Sequence, residues 1–577
     1  MPDATLVIRN GTVVDGTGRD PFEADVRMIG GVIAEVGKVA GRGDEEIDAR
    51  GRLVTPGFID PHTHYDAQVT WGNHLNPSSW NGVTTVLIGN CGVGFAPCRP
   101  EQQDMLVKLM EGVEDIPEVV LTEGLPWNWE TFPQFLDALD ARRYDLDIAT
   151  QVPHAAVRVY VMGQRGADRE PATELERQRM GQLAAEGIRA GALGFSTSRT
   201  IAHRTLAGEF TPTLHAAEAE LAAVARAMRE VGAGWFQVIS DFDEPEAEFG
   251  MLRRLVETSG RPLTFSLLQR ESRPNLWREL LDKVADVNRS GNVMKAQVMG
   301  RPIGIMLGFE ISQNPFIGRP SWAEVKDLPF PQKIARLRDP AFRRRLITEG
   351  TADPMMRQRV AVWDKIFPLD DPPDYEPPPE RSVAAVAARQ GRDPQEVVYD
   401  MLLEKDGKAI LYRPIINYAD GTLDIAKKMM EDPNTLLGLG DGGAHVSIIC
   451  DASTMTHTLT HWVRDRTRGA RMPLEWVVRR LTSDNAKAIG LHDRGVLAPG
   501  YKADINIIDF DRLMIHAPEV LYDLPTGARR LVQRTQGYDA TIVSGVPVYR
   551  NGEATGQLPG RLVRGAKPQQ AMPLAAE

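Results

Sequence analysis

Apolar positions come in short β-like pieces over residues 1–56: Thr5–Arg9, Thr12–Val14, Ala24–Ile29 and Val32–Val36. Asn10-Gly11, Gly16-Thr17-Gly18 and Gly30-Gly31 separate them as turn signals. Residues 498–577 read alike, with Ile505–Ile508, Ala540–Val543 and Val546–Tyr549 set off by Gly545 and Asn551-Gly552. Over residues 57–497 the pattern changes to strands alternating with helical stretches such as Ala216–Val231 and Glu248–Ser259. The candidate strands are Leu53–Ile59, Thr84–Ile88, Asp147–Val152, Leu193–Ser196, Trp235–Ile239, Leu263–Leu268, Met294–Val298 and Leu436–Leu439. Eight strands in strand–helix alternation predict an α/β fold, a closed parallel (β/α)8 TIM-like barrel.

The stretch 305–430 is too long for a simple crossover and reads as an insertion before the last strand. It carries a charged helical piece, Pro340–Glu349, and the Pro-rich run Asp370–Glu380, which reads as an extended linker. It either covers the active site or is a plain surface excursion. The tail after about residue 560 is polar and expected to be loose.

Chemistry-bearing residues fall at strand ends. The run Leu53–Ile59 leads into His62-Thr63-His64, and histidines spaced i, i+2 leave an extended segment on one side, in reach of one cation. The β-branched run Val83–Ile88 leads into a Gly-rich loop carrying Cys91. The bland alternatives are two hydrogen-bonded core histidines and a small buried thiol.

Together with GLGDGGAH at 438–445, Asp493–Gly500 and KADINIIDFD at 502–511, the stretches PGFIDPHTHYD and GVTTVLIGNCG resemble the amidohydrolase superfamily. Within it, the chain is similar to the N-acyl-D-amino-acid deacylase (D-aminoacylase) family over most of its length. The resemblance implies that both ends join in one small β-sandwich beside the barrel. It implies that Cys91 binds zinc with His62 and His64. It further implies that Asp441 accepts the proton of the attacking water and passes it to the leaving group, Asp441 also being a candidate ligand.

The chain departs from that pattern at the fifth and sixth strands, where the family usually offers histidines. Here the fifth reads Gly234–Ser240 with Gln237, and the sixth Leu263–Gln269 with Ser266 and Gln269. No histidine lies between His215 and His445. Three outcomes stay open: one cation on His62, His64, Cys91 and Asp441 or three of them; substitute ligands among His154, His203 and His445; or a metal-free site. Zinc, one ion rather than two, is expected, although cobalt, manganese or iron suits the same donors.

The segment with His154 and Arg158 resembles a family segment usually reading GHxxxR, and His154 is expected to polarise a carbonyl or hold the substrate, or else to support the site by a hydrogen bond. His203 follows the fourth strand, where the family typically has a tyrosine that polarises the scissile carbonyl, and is expected to take that place. Arg158, Arg199 and Arg204 are candidates to clamp a substrate carboxylate, and Gln237 is a further substrate-binding candidate. Gln68, Asn90 and Asp66 are placed to support ligands by hydrogen bonds. His457 and His461 form an HxxxH pair without the Glu of HExxH and read as helix-face residues.

The 577 residues are 42% hydrophobic and 25% charged, enough for a large core, with a formal net charge of −11 and no basic block, which argues against a nucleic-acid partner. Three cysteines argue against a disulfide framework. No signal peptide and no membrane-length apolar run is seen, so a cytoplasmic protein is expected. The expected activity is metal-dependent hydrolysis of a C–N amide bond in a small molecule, an N-acyl (D-)amino acid or related amide. The alternatives are a hydrolase of a cyclic imide, lactone or aryl amide, and a non-catalytic binding protein on the same fold. A homo-oligomer is left open.

Overall fold

The computed structural model describes residues 5–350 and 361–565. Eight parallel strands form one sheet in chain order: β1 (Phe58–Asp60), β2 (Val83–Ile88), β3 (Asp147–Pro153), β4 (Gly194–Arg199), β5 (Trp235–Ser240), β6 (Leu263–Ser266), β7 (Met294–Val298) and β8 (Thr435–Leu437). Every residue of β2 and of β3 is buried, as expected for strands covered on both faces. Helices such as Glu174–Ala190, Glu218–Val231, Pro245–Ser259 and Leu276–Arg289 fill the crossovers.

The seam between β1 and β8 is closed by a side chain. The Asn485 amide donates to the carbonyl oxygens of Ile59 (2.9 Å) and Leu437 (2.6 Å). Beyond the strand ends the two chains stay in contact: Asp441 N–H donates to His62 O (3.1 Å) and His64 N–H to Gly442 O (2.8 Å). That seam brings the histidine pair and Asp441 together.

The run Leu53–Ile59, read as one strand, splits in two. Leu53–Pro56 pairs antiparallel with Ile505–Ile508 in the sheet of the chain ends, and the chain enters the barrel only at Phe58. The break falls at Gly57, where a Cβ would lie 2.2 Å from Thr84 Oγ1. The ends meet in one nine-stranded mixed sheet, to which Thr5–Val13, Phe22–Ile29 and Val32–Gly37 contribute with Tyr538–Val543 and Val546–Arg550. Asn10-Gly11 is not a turn: Thr5–Val13 is a single strand with an irregularity between Ile8 and Gly11, and Asn10 absorbs it at φ 58°.

The 305–430 region builds its own core around Phe309, Phe316, Trp322, Leu337, Tyr399 and Leu402, with Ile303–Leu307 antiparallel to Leu411–Ile416. The Pro-rich run has little regular structure, but it is not a loose linker. Tyr375 and Glu376 are buried, and the Glu376 carboxylate accepts two bonds from Arg466, at 3.0 and 2.9 Å. The tail also differs from its expectation through residue 565. Ile148 N–H donates to Arg561 O (3.0 Å), Val563 N–H donates to Ile148 O (2.7 Å), and Leu562 is buried. The remainder of that tail lies outside the described residues. At the strand-start end of the barrel, Arg494 pairs with Asp147 at 2.7 Å, so the Asp493–Gly500 motif braces the end away from the histidines. All three cysteines are free. Among the described residues no helix is long and apolar enough to cross a membrane.

Candidate metal centre

His62, His64 and Cys91 lie at the C-terminal ends of β1 and β2, each buried, with one ligand atom apiece all within 4.8 Å of one another. The Cys91 sulfur is 3.3 Å from His62 Nε2. Asp441 Oδ1 is 3.5 Å from His62 Nε2 and 3.8 Å from His64 Nε2. Both imidazoles therefore turn Nε2 toward the same point. Each Nδ1 is directed to an anchor instead: His62 Nδ1 donates to the Gln297 amide oxygen on β7 (2.5 Å), and His64 Nδ1 lies 3.2 Å from Glu114 Oε1. With its proton on Nδ1, His62 keeps a lone pair on Nε2, which a metal ligand requires.

The loop that presents Cys91 is stitched to its neighbours. Cys91 itself adopts φ 55°, a left-handed conformation costly for a residue with a side chain. Its N–H donates to Gln237 Oε1 (2.7 Å), and Gly92 N–H donates to Ser196 Oγ (3.0 Å). Gln237 Oε1 thus holds the Cys91 backbone, and its Nε2 is buried without a hydrogen-bond partner. Gln269 is turned away, its Nε2 donating to Asp420 (3.2 Å). Ser266 Oγ is buried without a hydrogen-bond partner. On the other side, Gly440 lets the last loop pass the Asp60 carboxylate, since a Cβ there would lie 2.0 Å from Asp60 Oδ2.

The electrostatics ask for a cation. Burial pushes Asp441 up to about 7 and Asp66 up to about 7, and burial with the nearby Asp441 pushes Asp60 up to about 8. Burial, then Asp441 and Asp66, pushes Glu114 well above the usual carboxylate range. The Cys91 thiol is also pushed well up, by burial and then Asp441 and Glu114. Among the described residues no lysine or arginine contributes to holding these groups ionised. Asp441 Oδ1 and Glu114 Oε2 are buried without hydrogen-bond partners. Burial lowers His62 to about 4, and burial with the neighbouring His62 lowers His64 well below the usual imidazole value, so both imidazoles are neutral, the form that ligates. Four carboxyls, a thiol and two neutral imidazoles fit a divalent metal of the zinc type.

The remaining sequence candidates separate. His154 Nδ1 is 2.8 Å from Thr197 Oγ1, and Nε2 is 2.8 Å from Glu220 Oε1. Arg158 bonds the other oxygen of Glu220. The three form a closed, buried network, so His154 has no nitrogen left for a carbonyl and Arg158 no fork for a carboxylate. Arg199 is likewise committed to Glu248, through Nε and through Nη2 at 3.0 Å. Arg204 is half-buried, with no side-chain partner among the described residues. His203 Nδ1 is 2.9 Å from Ser198 Oγ at the end of β4. Burial, with His445, depresses its imidazole to about 3, and its contact with the end of β4 puts it at the same end of the barrel as His62. His457 and His461 stack at 4.7 Å on one helix face, apart from this centre.

Glu114 and Gln297 escaped the sequence reading. Glu114 ends the helix α1 (Gln103–Glu114) on its buried face, in line with Leu106, Val107, Met110 and Val113. An acidic residue on an apolar face, at the helix end where the dipole disfavours it, is the signal that marks it.

A sequence model of the amidohydrolase family matches residues 45–549. The D-aminoacylase of Alcaligenes xylosoxydans xylosoxydans is 26% identical over 578 residues, 97% of this chain and 97% of that one. An uncharacterized protein of Mycobacterium tuberculosis is 27% identical over 594 residues, 96% of this chain and 93% of its own. The structure of N-acyl-D-glutamate deacylase from Bordetella bronchiseptica, in complex with zinc and a phosphonate mimic of the tetrahedral intermediate, is similar with a TM-score of 0.64. The two are 24% identical, and the match covers 97% of this chain and 100% of that one. That likeness speaks for the fold.

Proposed function

The chain belongs to the amidohydrolase family and is a hydrolase of carbon–nitrogen bonds other than peptide bonds; on that premise we propose that it cleaves the amide of an N-acyl amino acid with the help of one divalent metal. The observation that carries this reading is the convergence of His62, His64 and Cys91 with Asp441 Oδ1 beside both Nε2 atoms. His62, His64 and Cys91 would hold the ion, with Asp441 at its edge. A metal there supplies Lewis acidity toward the scissile carbonyl and makes a water acidic enough to attack near neutral pH.

The protein groups do the rest. Asp441, with a bare Oδ1, accepts the proton of the attacking water and returns it to the departing nitrogen. Its buried, otherwise unpartnered Oδ1 beside both Nε2 atoms suits that transfer. His203 takes the donor role. With Ser198 Oγ on Nδ1, a proton on Nε2 is directed at the carbonyl oxygen as it gains charge. Arg204, the one of the three candidate arginines without a partner among the described residues, is the clamp for a substrate carboxylate.

The test is a paired assay. N-acyl-D- and N-acyl-L-amino acids are offered to metal-loaded protein beside hydantoins and lactones. Turnover of the N-acyl amino acids supports this reading, and turnover of ring substrates alone overturns it.

A further inference from the structure

We infer that Glu114 is a positioning residue of the metal centre, holding Nδ1 of His64 as the Gln297 amide holds Nδ1 of His62, so that both Nε2 atoms face the cation. This rests on the metal-site reading above and goes beyond it by assigning a group from a helix rather than from a strand end. Glu114 Oε1 is 3.2 Å from His64 Nδ1, on the edge of the ring away from Asp441. The pair lies within ion-pair distance, and His64 Nδ1 is buried with no hydrogen bond to any other group. Carboxylate–imidazole–metal arrangements fix the tautomer and raise the donor strength of the ring.

The carboxylate is built in rather than incidental. Glu114 is 1% exposed, and it ends α1, where the helix dipole works against a negative charge. Both effects cost stability, so a hydrophobic residue would suit the helix better. The position is locked to the loop that carries Asp441. Val446 N–H donates to Glu114 O (3.1 Å), the His445 N–H reaches the Glu114 carboxylate, and Ser447 N–H donates to Asp115 Oδ2 (3.2 Å). The end of α1 and the Asp441 loop are therefore bonded to each other, and Glu114 brings that junction to within 3.2 Å of His64 Nδ1. The two anchors differ in kind: an amide stands behind His62 and a carboxyl behind His64, and a cation on Nε2 would favour the carboxylate form, in which His64 would be the stronger donor of the pair.

The experiment compares wild type, Glu114→Gln, Glu114→Ala and His64→Ala, each stripped and titrated with Zn2+ against a chromogenic chelator. The same proteins are titrated with Co2+, whose visible bands report ligand geometry and whose sulfur-to-metal band reports Cys91. For Glu114→Gln, zinc affinity is expected to fall by about 10- to 100-fold. Its sulfur-to-cobalt band is expected to remain and its d–d bands to shift. Circular dichroism of the metal-free forms shows whether each variant is folded, and Glu114→Gln keeps the shape of the side chain if Glu114→Ala does not fold. Wild-type affinity and spectrum in Glu114→Gln, with binding lost in His64→Ala, would overturn the inference while leaving the metal site intact. Undiminished binding in His64→Ala would instead overturn the metal-site reading on which it stands.

Discussion

Nε2 of His62 lies 3.3 Å from the sulfur of Cys91, although the two residues are 29 positions apart. Adjacent parallel strands bring them together: β1 and β2 pair through Phe58–Asp60 and Val83–Val86, and each chain turns into its loop at the same end of the barrel. A metal held by both atoms would displace any proton between them, because a thiol and an imidazole ligate only in their proton-free forms.

Asp441 is assigned proton transfer, so its amide should bind substrate and fail in turnover. Asp441→Asn is expected to lower kcat by about 10²- to 10⁴-fold with the metal content nearly kept. Steady-state kinetics on metal-loaded protein, beside elemental analysis, check this. Full activity in Asp441→Asn would remove Asp441 from the reaction.

His203 is assigned to the developing oxyanion. His203→Ala is expected to cost about 10²-fold in kcat, the scale for one lost oxyanion donor, with KM changed little. A loss confined to KM would mean that His203 binds substrate without favouring the transition state.

Glu220 holds His154 and Arg158 in a buried network away from the metal. Burial alone would raise its carboxyl, but hydrogen bonds from His154 and Arg158 hold it down to about 2. Its contribution to stability is therefore complete above the ordinary Glu value of about 4.3 and is lost as pH falls through about 2. Glu220→Gln should be less stable than wild type at pH 7 by about 3–5 kcal/mol, the cost of breaking a buried pair. The gap should narrow below about pH 4.3. Urea midpoints at pH 7, 5 and 3.5 (about those values) follow it, and a gap independent of pH would exclude the ionic origin.

Asn485 closes the barrel with one side chain. Asn485→Ala strands the carbonyls of Ile59 and Leu437 in a buried seam, at about 1–3 kcal/mol for each orphaned group. The stability loss is read from denaturant unfolding. Because the seam also aligns His62 with Asp441, kcat should fall more than stability alone explains. A variant as stable and active as wild type would mean that the seam is held by other contacts.

The barrel was legible because its strands are continuous apolar runs, and the candidate ligands because HxH and a Gly-flanked Cys directly follow such runs. What stayed hidden was lateral. Hydropathy carries no mark of which sheet a residue joins, so Leu53–Ile59 looked like one strand although Gly57 passes it from one sheet to another. Asn10-Gly11 has the composition of a hairpin turn but serves as an irregularity inside Thr5–Val13. His154 and Arg158 share a motif with the family, yet the group that engages both, Glu220, lies more than 60 positions on. Gln237 is a candidate for the cation or the substrate from its place on the fifth strand, and only the fold shows its oxygen accepting from the Cys91 N–H. Glu114 was visible only as a misfit, an acid on an apolar helix face.

The most direct measurement is the metal content of the purified chain by elemental mass spectrometry, with His64→Ala and Cys91→Ala beside it. About one equivalent of a zinc-type metal in wild type, lost in both variants with the amidase activity and regained in neither on dialysis against Zn2+, is the expected result. Wild type that hydrolyses its amide with no metal bound, or variants that keep the full equivalent, would contradict the centre on His62, His64 and Cys91.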